Sequence, residues 1–291
     1  MILSKHSSLS LSNTDNMANM FLGMFAAISS VLLLLVLSFL VYETWPIIAD
    51  GRFFEFLNGS KWYPLEGQFG MLPMILSSIA VMVGAIALAG PLGIASAVFL
   101  RFYARGSVER FYRLILYVLA GIPSVVFGLW GLTELVPLIT KLHPPGTSLL
   151  AATLVLALMI LPTVAITSTA ALKSIPENIL SGAKALGLSR QGQILHIAIP
   201  AAKTGIYSGL LLSMARALGE TMAVVMVAGN VVQYPTGLFQ PIRTLTANIA
   251  LEMAYAMDGH RAGLFAAGLI LTLLVLILSI LASKASKGRF V

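Results

Sequence analysis

Residues 142–172 read LHPPGTSLLAATLVLALMILPTVAITSTAAL and contain no Asp, Glu, Lys or Arg. The charged residues on either side are Lys141 and Lys173, so the uncharged stretch is 31 residues long. A helix needs about 20 mostly apolar residues to cross a hydrocarbon core about 30 Å thick. The stretch is therefore predicted to span a membrane, and the segments on either side of it can be assigned in turn.

Other uncharged stretches have the same character. Four more are predicted to span the membrane, namely 16–42, 67–100, 114–133 and 262–283, of 27, 34, 20 and 22 residues. A sixth apolar region, 205–232, is also long enough but carries Arg216 and Glu220. We therefore expect an all-α integral membrane protein with six transmembrane helices. The apolar core of the first, Met20 to Tyr42, exceeds the roughly 7 to 15 residues of a signal-peptide core and predicts a retained anchor helix.

The composition excludes several classes of protein. Of the 291 residues, 10% are charged and 58% are hydrophobic, and the mean hydropathy is +0.93. Soluble domains have about 25% charged residues. The net charge of +7 does not predict a nucleic-acid partner, because nucleic-acid binding needs basic residues gathered on one solvated face. The chain has no cysteine, and its four histidines are scattered, so no metal site is expected.

The distribution of Lys and Arg predicts that both termini are cytoplasmic. With a cytoplasmic N-terminus, the segments on that side hold 12 Lys and Arg and the opposite segments hold 5, as expected from the positive charge of cytoplasmic loops. The chain then divides into 1–71 (cytoplasmic tail, anchor helix and outer loop), the membrane core 72–284 and a cytoplasmic tail, 285–291.

Residues 173–203 form a cytoplasmic loop that is predicted to fold as two short helices. Ser174 to Glu177 has the Ser-x-x-Glu form of a capping box, and Gly187 suits a left-handed helix end. Ser189 can cap the second helix, and Pro200 lies just after its last turn. Such a structured loop predicts docking to another protein. The alternative is a helical hairpin that covers only its own bundle.

Two glycine-proline motifs interrupt the predicted spans. Gly90-Pro91 is expected to break the second span, and Gly121-Ile122-Pro123-Ser124 lies within the third. Proline in a membrane helix frees a carbonyl, which is tolerated where protein or a water-lined cavity satisfies it. The breaks together indicate a pathway or a tight helix bundle, and a plain packing kink is the alternative for each.

The cytoplasmic loop resembles the signature of ABC importer permeases, written Glu-Ala-Ala, three residues, Gly, nine residues, Ile, one residue, Leu-Pro. The matching positions are Ser181, Gly182, Ala183, Gly187, Ile197, Ile199 and Pro200. Ser181 and Gly182 replace the Glu and the first Ala. The resemblance implies a coupling helix that fits a groove on a cytoplasmic ATPase.

Two further stretches resemble motifs of the PstC-type permeases of phosphate-specific ABC importers. They are IPSVVFGLWG at 122–131 and RALGETMAV at 216–224. The resemblance extends from about Pro73 to Ser283 and implies a type-1 importer permease fold in a bacterial inner membrane. It also implies as partners a second, homologous permease subunit, two cytoplasmic ATPase subunits and an extracytoplasmic phosphate-binding protein.

Arg216 and Glu220 are the candidate pathway residues. Arg216 lies 11 residues after Gly205, about 17 Å along a helix and so near the bilayer midplane. A charge at that depth should face water or the protein interior. Residues four apart share one helix face, so the two side chains are expected to neutralise each other and to form a polar stripe with Ser213 and Thr221.

The chemistry of phosphate suits this stripe. A guanidinium offers a planar fork of donors to two oxygens of an oxyanion. Glu220 could hold Arg216 when the site is empty or accept a hydrogen bond from protonated phosphate, and Thr221 and Ser124 could donate hydroxyls. The alternative is a structural ion pair that fixes helix register.

The chain has no energy source of its own. No Gly-x4-Gly-Lys-Ser/Thr loop, nucleophilic triad or carboxylate cluster is present in the sequence. We therefore expect a non-catalytic transport subunit that binds no cofactor, with ATP and Mg on a partner ATPase. A permease for another oxyanion such as molybdate or sulfate, an ion-coupled carrier and a membrane enzyme acting alone are the alternatives.

Overall fold

The structure is a computed structural model that describes residues 11–49, 51 and 53–286, with side chains from 18 to 284 within these ranges. In this part of the chain, six helices are long and apolar enough to cross a membrane, which confirms the predicted number. These helices are Ala18–Ala49, Leu72–Tyr103, Ser124–Leu142, Leu149–Lys173, Arg190–Leu218 and Asp258–Lys284. The predicted placement of the two chain ends lies outside the described residues.

The helical elements are short pieces as well as full spans. In chain order they are α1 (Leu11–Ala49), α2 (Phe53–Asn58), α3 (Leu72–Val98), α4 (Gly106–Gly121), α5 (Ser124–Trp130), α6 (Val136–Leu142), α7 (Leu149–Lys173), α8 (Glu177–Ala185), α9 (Arg190–Gly192), α10 (Ile199–Leu218), α11 (Met222–Val227), α12 (Leu245–Glu252) and α13 (Asp258–Ser286). Wider π-helical turns extend α3 and join α5 to α6 and α9 to α10; they are Phe99–Tyr103, Gly131–Leu135 and Gln193–Ala198.

Helix α7, the stretch quoted first, is the centre of the bundle. Its buried residues contact α3 on one side and α10 on the other. Glycines allow both approaches: a Cβ at Gly84 of α3 would lie 2.8 Å from Thr153 Cγ2, and one at Gly205 of α10 would lie 2.7 Å from Ala171 Cβ. The small residues thus permit the backbones to pack closely, as is usual between membrane helices.

The predicted break of the second span is wrong. Helix α3 continues through Gly90 and Pro91 without interruption. A proline removes one backbone hydrogen bond, and a membrane helix tolerates this loss when the rest of the ladder is intact.

The third predicted span has different bounds in the structure. Helix α4 ends at Gly121, and a new helix begins at Ser124 and continues to Leu142. The separation is at Ile122, which is extended (ψ 129°) because the ring of Pro123 disfavours a helical conformation in the residue before it. The charged Glu134 and Lys141 therefore lie within this helix and not beyond its end.

An outer segment, residues 53–70, covers one end of α13. It contains α2 and an antiparallel hairpin of β1 (Trp62–Tyr63) and β2 (Gln68–Phe69), in which Trp62 pairs with Phe69. The rings of Phe56 and Phe69 stack at 5.5 Å, and the Trp62 ring meets Phe69 edge-on at 5.7 Å. This aromatic cluster packs against Gly263 of α13.

Candidate functional site

The segment that carries the predicted pathway residues is not one continuous helix. Helix α10 ends at Leu218, Glu220 and Thr221 lie in the connection, and α11 begins at Met222. The Glu220 amide donates to the Ala217 carbonyl oxygen at 3.3 Å. This bond reaches three residues back instead of the four of an α-helix, and it closes the last turn. The predicted common helix face for Arg216 and Glu220 is therefore wrong.

Among the residues that the structure describes, Arg216 and Glu220 also form no ion pair with each other. Within the described ranges, no salt bridge of 4.0 Å or less involves either side chain. Arg216 is exposed in the last turn of α10, and Glu220 is half-buried. Ser213 is fully buried and donates to the Gly209 carbonyl oxygen at 2.9 Å, so the predicted polar stripe is wrong as well. Its members face different surroundings.

The connection after α10 is held in place by α12. The hydroxyl of buried Thr246 donates to the Glu220 carbonyl oxygen at 3.0 Å. Helix α12 is in turn fixed to α3, because the Leu245 amide donates to the Ser78 hydroxyl oxygen at 3.0 Å. Thr244 caps α12 by accepting the Ala247 amide. The backbone at Glu220 is thus positioned by the buried core and not by its own side chain.

Ser124 belongs to a helix that packs directly on α11. A Cβ at Gly128 of α5 would lie 2.8 Å from Ala223 Cα, and one at Gly131 would lie 3.0 Å from Val227 Cγ1. Gly128 faces Ala223 and the later Gly131 faces the later Val227, so the two helical segments run in the same direction. Ser124 is the first residue of α5, and α11 begins at Met222, directly after the Glu220–Thr221 connection, so both helices start at the same end of the pair.

The second predicted site is the cytoplasmic loop, and its cap residues are in part as predicted. Gly187 has φ +78°, as expected for the helix end after α8, and the Ser189 hydroxyl oxygen accepts the Gly192 amide at 3.2 Å. The Ser174 capping box is wrong. The Ser174 hydroxyl donates to the Ala171 carbonyl oxygen at 2.8 Å, at the C-terminal end of α7. Helix α8 begins only after Pro176.

Pro200 does not end the second helix of the loop. The helical segment runs from Arg190 to Leu218 without a break, and Pro200 lies within it, just after the π-helical turn Gln193–Ala198. Local π-helical adjustments of this kind help a helix to accommodate a proline. The second part of the loop, from Arg190 onward, and Arg216 therefore belong to one helical segment. The capping and helix-breaking residues of the loop, Ser189 and Pro200, do not predict this continuity.

The signature positions of the loop differ in exposure. Ser181, Gly182 and Pro200 are exposed, and Ile197 is half-buried, whereas Ala183 is 6% exposed. A Cβ at Gly182 would meet nothing within 4 Å.

Two leucines of the same loop are exposed. Leu186 is 83% exposed and Leu195 is 60% exposed. The loop is fixed to the bundle by Arg101 Nη2, which lies 2.6 Å from Glu177 Oε1. The Arg190 guanidinium carbon, 4.4 Å from the centre of the Tyr103 ring, adds a second contact.

A buried charged cluster next to the outer segment was not expected from the sequence. Glu252 is 7% exposed, and its two oxygens accept hydrogen bonds from Arg243, His260 and Trp62. The charge distribution assigns Arg243 and Glu252 to a different extracytoplasmic connection, in which charged side chains are ordinarily expected to be exposed to water. The ion pair between Arg243 and Glu252 depends on how α12 folds, and no hydrophobic or charge periodicity in the sequence predicts it.

Comparison with known proteins places the chain among transport proteins. Residues 89–288 match the family described as "Binding-protein-dependent transport system inner membrane component". The chain is 38% identical over 258 residues to the probable ABC transporter permease protein YqgH of Bacillus subtilis, with 87% of this chain and 81% of that protein covered.

Phosphate transport system permease proteins PstC are also similar. The identity is 34% over 240 residues for the Mesorhizobium japonicum protein, with 75% of this chain and 73% of that protein covered. It is 31% over 295 residues for the Haemophilus influenzae protein, with 92% and 93% covered.

Two solved structures share the architecture at low sequence identity. A chain of the inward-facing MetNI methionine ABC transporter has a TM-score of 0.58 and 16% identity, and the match covers 72% of this chain and 92% of that one. A chain of a bacterial ABC transporter that imports the acidic polysaccharide alginate has a TM-score of 0.58 and 16% identity, with 90% and 95% covered. These likenesses show the fold.

Proposed function

Because the chain belongs to the family of binding-protein-dependent transport system inner membrane components, we propose that it is the permease subunit of an ATP-driven importer of inorganic phosphate. It is a multi-pass protein of the inner membrane with the type-1 ABC importer permease fold. The observation that supports phosphate as substrate is the extended similarity to proteins named PstC, at 31% to 34% identity over most of the chain.

Arg216 is the proposed phosphate contact. Arg216 is proposed to lie within the hydrocarbon region, in the last turn of a helical segment that begins at Arg190 and not at Gly205. An exposed guanidinium there needs water or an anion, since a charge facing lipid at the bilayer centre costs at least about 2.5 to 3.5 kcal/mol. Arg216 has no carboxylate within 4.0 Å in the described part of the chain, so its fork of donors is free for two phosphate oxygens.

Glu220, Thr221 and Ser124 are proposed to complete the pathway. The parallel packing of α5 and α11 supports this grouping, because both helices start at the end of the pair where the connection after α10 lies. The Glu220 carboxylate can accept a hydrogen bond from protonated phosphate, and this contact would disfavour fully ionised oxyanions such as sulfate.

The cytoplasmic loop is the proposed ATPase contact. The exposed side chains of Leu186 and Leu195, with the neighbouring signature residues Ser181, Gly182 and Ala183, offer a surface that a partner protein can bury. We propose that two cytoplasmic ATPase subunits bind ATP and Mg, that this chain binds neither, and that it pairs with a second, homologous permease subunit.

The remaining proposed partner is an extracytoplasmic phosphate-binding protein, which would deliver phosphate to the outer face of the permease pair. ATP binding by the ATPases would then convert the pair between inward-open and outward-open states. In this scheme the chain is a non-catalytic subunit, and the permease fold supports that role.

The deciding experiment is uptake into proteoliposomes that contain this chain, its sister permease and the ATPase, with the binding protein added outside. We expect ATP-dependent uptake of labelled phosphate that arsenate inhibits and sulfate does not. Uptake that sulfate or molybdate inhibits would favour another oxyanion. Phosphate uptake by this chain alone, without ATP, would contradict the proposal.

A further inference from the structure

Glu252 is the hub of a buried hydrogen-bond network at the end of α12. Its Oε2 atom accepts a hydrogen bond from Trp62 Nε1 at 2.8 Å and lies 2.8 Å from His260 Nε2. Its Oε1 atom accepts a hydrogen bond from Arg243 Nη1 at 2.5 Å. One side chain therefore joins the outer hairpin, the start of α13, α12 itself and the connection before α12. Removing one partner of such a buried charge is costly, since the remaining charge is left uncompensated.

The network continues from Glu252 towards the candidate pathway by two routes. In the first, Arg243 Nε donates to the Asn230 carbonyl oxygen and Asn230 Nδ2 donates to the Val225 carbonyl oxygen of α11, both at 2.8 Å. In the second, Thr246, six residues before Glu252 on α12, holds the Glu220 carbonyl oxygen. A movement of the carboxylate is thus connected by bonded groups to both ends of the segment 220–227.

Two polar atoms in this network have no partner among the described residues. They are Asn230 Oδ1 and Asn248 Nδ2, both buried, although Asn248 Oδ1 accepts from Arg243 Nη1 at 3.0 Å. A buried polar group without a partner costs about 1 to 3 kcal/mol. The network therefore has unused hydrogen-bonding capacity, which a second arrangement of Arg243 and the two amides could satisfy.

The outer end of the network reaches an open surface. The outer segment encloses a cavity of about 460 Å³, lined among others by Phe56, Lys61, Gln68 and Phe69. Trp62 directly follows Lys61 and is 6% exposed, so a partner that presses on the hairpin acts on the tryptophan that bonds to Glu252. The charge distribution predicts that the segment lining the cavity is extracytoplasmic, the side on which the proposed binding protein acts.

We propose that Glu252 is a positioning residue that transmits docking of the extracytoplasmic binding protein on residues 53–70 to the connection that carries Glu220. The proposal rests on the proposed function. Docking displaces the hairpin, the Trp62 bond moves the Glu252 carboxylate, and α12 and Arg243 carry the displacement to the Glu220 carbonyl oxygen and to the end of α11. Glu252 itself does not contact the substrate.

The test uses the complete complex in lipid nanodiscs, with ATP hydrolysis measured without and with loaded binding protein. Trp62→Phe keeps an aromatic ring in the hairpin and removes one hydrogen bond, and Glu252→Gln keeps the size of the side chain and removes its charge. We expect both to lower the ratio of stimulated to basal hydrolysis about fivefold or more, the size of a typical coupling between sites. Basal hydrolysis and nucleotide-free binding-protein affinity should stay within about twofold of the wild type, below that coupling range.

Glu134→Gln is the matched control, because Glu134 is exposed in the turn Gly131–Leu135 and undergoes the same chemical change outside both the network and the docking residues 53–70. The double variant Trp62→Phe/Glu252→Gln should lose no more stimulation than Glu252→Gln alone, since both changes interrupt one path. If Glu252→Gln fails to assemble, Trp62→Phe decides. An unchanged ratio in an assembled Trp62→Phe complex would overturn the proposal and leave the network a purely structural role.

The two proposals fail in distinguishable ways. If the wild-type complex imports a different oxyanion, the phosphate proposal fails, and the hydrolysis ratio with the binding protein for that substrate still tests Glu252. If no binding protein stimulates the wild-type complex, transmission through Glu252 is overturned.

Discussion

The Thr246 hydroxyl donates a 3.0 Å hydrogen bond to the backbone carbonyl oxygen of Glu220, 26 residues earlier in the chain. The bond joins α12 to the connection between α10 and α11. It fixes the backbone at Glu220 and leaves the carboxylate free. The carboxylate, the group proposed to contact substrate, and the carbonyl, the group that Thr246 holds, are therefore different parts of the same residue.

Thr246→Val should loosen the Glu220 connection. The change removes the hydroxyl with little change of volume. It deletes the bond to Glu220 and the 3.1 Å contact with the Thr244 hydroxyl, at about 0.5 to 1.5 kcal/mol each. We expect phosphate uptake to fall while assembly persists, with uptake and thermal denaturation of the detergent-solubilised complex as measurements. The control is Thr272→Val, since the Thr272 hydroxyl bonds only to Gly268 of its own helix. Equal uptake by the two variants would contradict the anchoring role.

Arg216→Gln should abolish most ATP-dependent phosphate uptake. Hydrogen bonds to charged groups contribute about 1.5 to 3 kcal/mol each, which corresponds to a loss of roughly tenfold or more in uptake rate. Arg216→Lys should be nearly as poor, because an ammonium lacks the planar fork. Arg261→Gln, at an exposed arginine of α13, should retain uptake. Failure of Arg216→Gln to assemble with the sister subunit would instead support a purely structural arginine.

Gly128→Ala should disturb the packing of α5 on α11. The new Cβ would lie 2.8 Å from Ala223 Cα, and such overpacking typically costs about 1 to 3 kcal/mol. We expect a lower denaturation temperature and reduced uptake. Gly121→Ala is the control, because a Cβ there meets nothing within 4 Å. A Gly128→Ala protein as stable as this control would show that the two helices are not in close contact.

Leu186→Asp should weaken ATPase binding. Burial of a leucine side chain contributes about 1.5 to 3 kcal/mol, so we expect at least about tenfold less ATPase to copurify with the permease pair. Leu142→Asp makes the same change at an 80% exposed leucine at the opposite end of the bundle and should retain the ATPase. Normal copurification of ATPase with Leu186→Asp would contradict the proposed docking surface.

The sequence was sufficient to predict the class and the number of spans, because absence of charge over 20 or more residues is a strong signal for a membrane helix. Local caps were partly predictable. Gly187 and Ser189 act as expected, since their roles depend only on neighbouring backbone groups. Ser174 does not, because α7 continues to Lys173 and uses the serine at its own end.

The errors concern positions where tertiary contacts override local preference. Proline predicts an interruption equally at Pro91, Pro123 and Pro200, but only Pro123 coincides with one. The Arg216/Glu220 spacing indicates an ion pair only if the helix continues, and its termination at Leu218 is set with the help of Thr246 from a distant segment. The Glu252 network joins residues up to 190 positions apart, beyond the reach of any periodicity.

The unbroken helical segment from Arg190 to Leu218 ties the rotational phase of Arg216 to that of the cytoplasmic loop. Each α-helical residue advances the direction of a side chain by about 100°. One residue inserted between Pro200 and Arg216 would therefore swing the guanidinium by about 100° relative to Leu195 without altering either sequence motif. The interval between the two motifs is thus under a length constraint of its own, and insertions there should be tolerated only in steps that restore the phase.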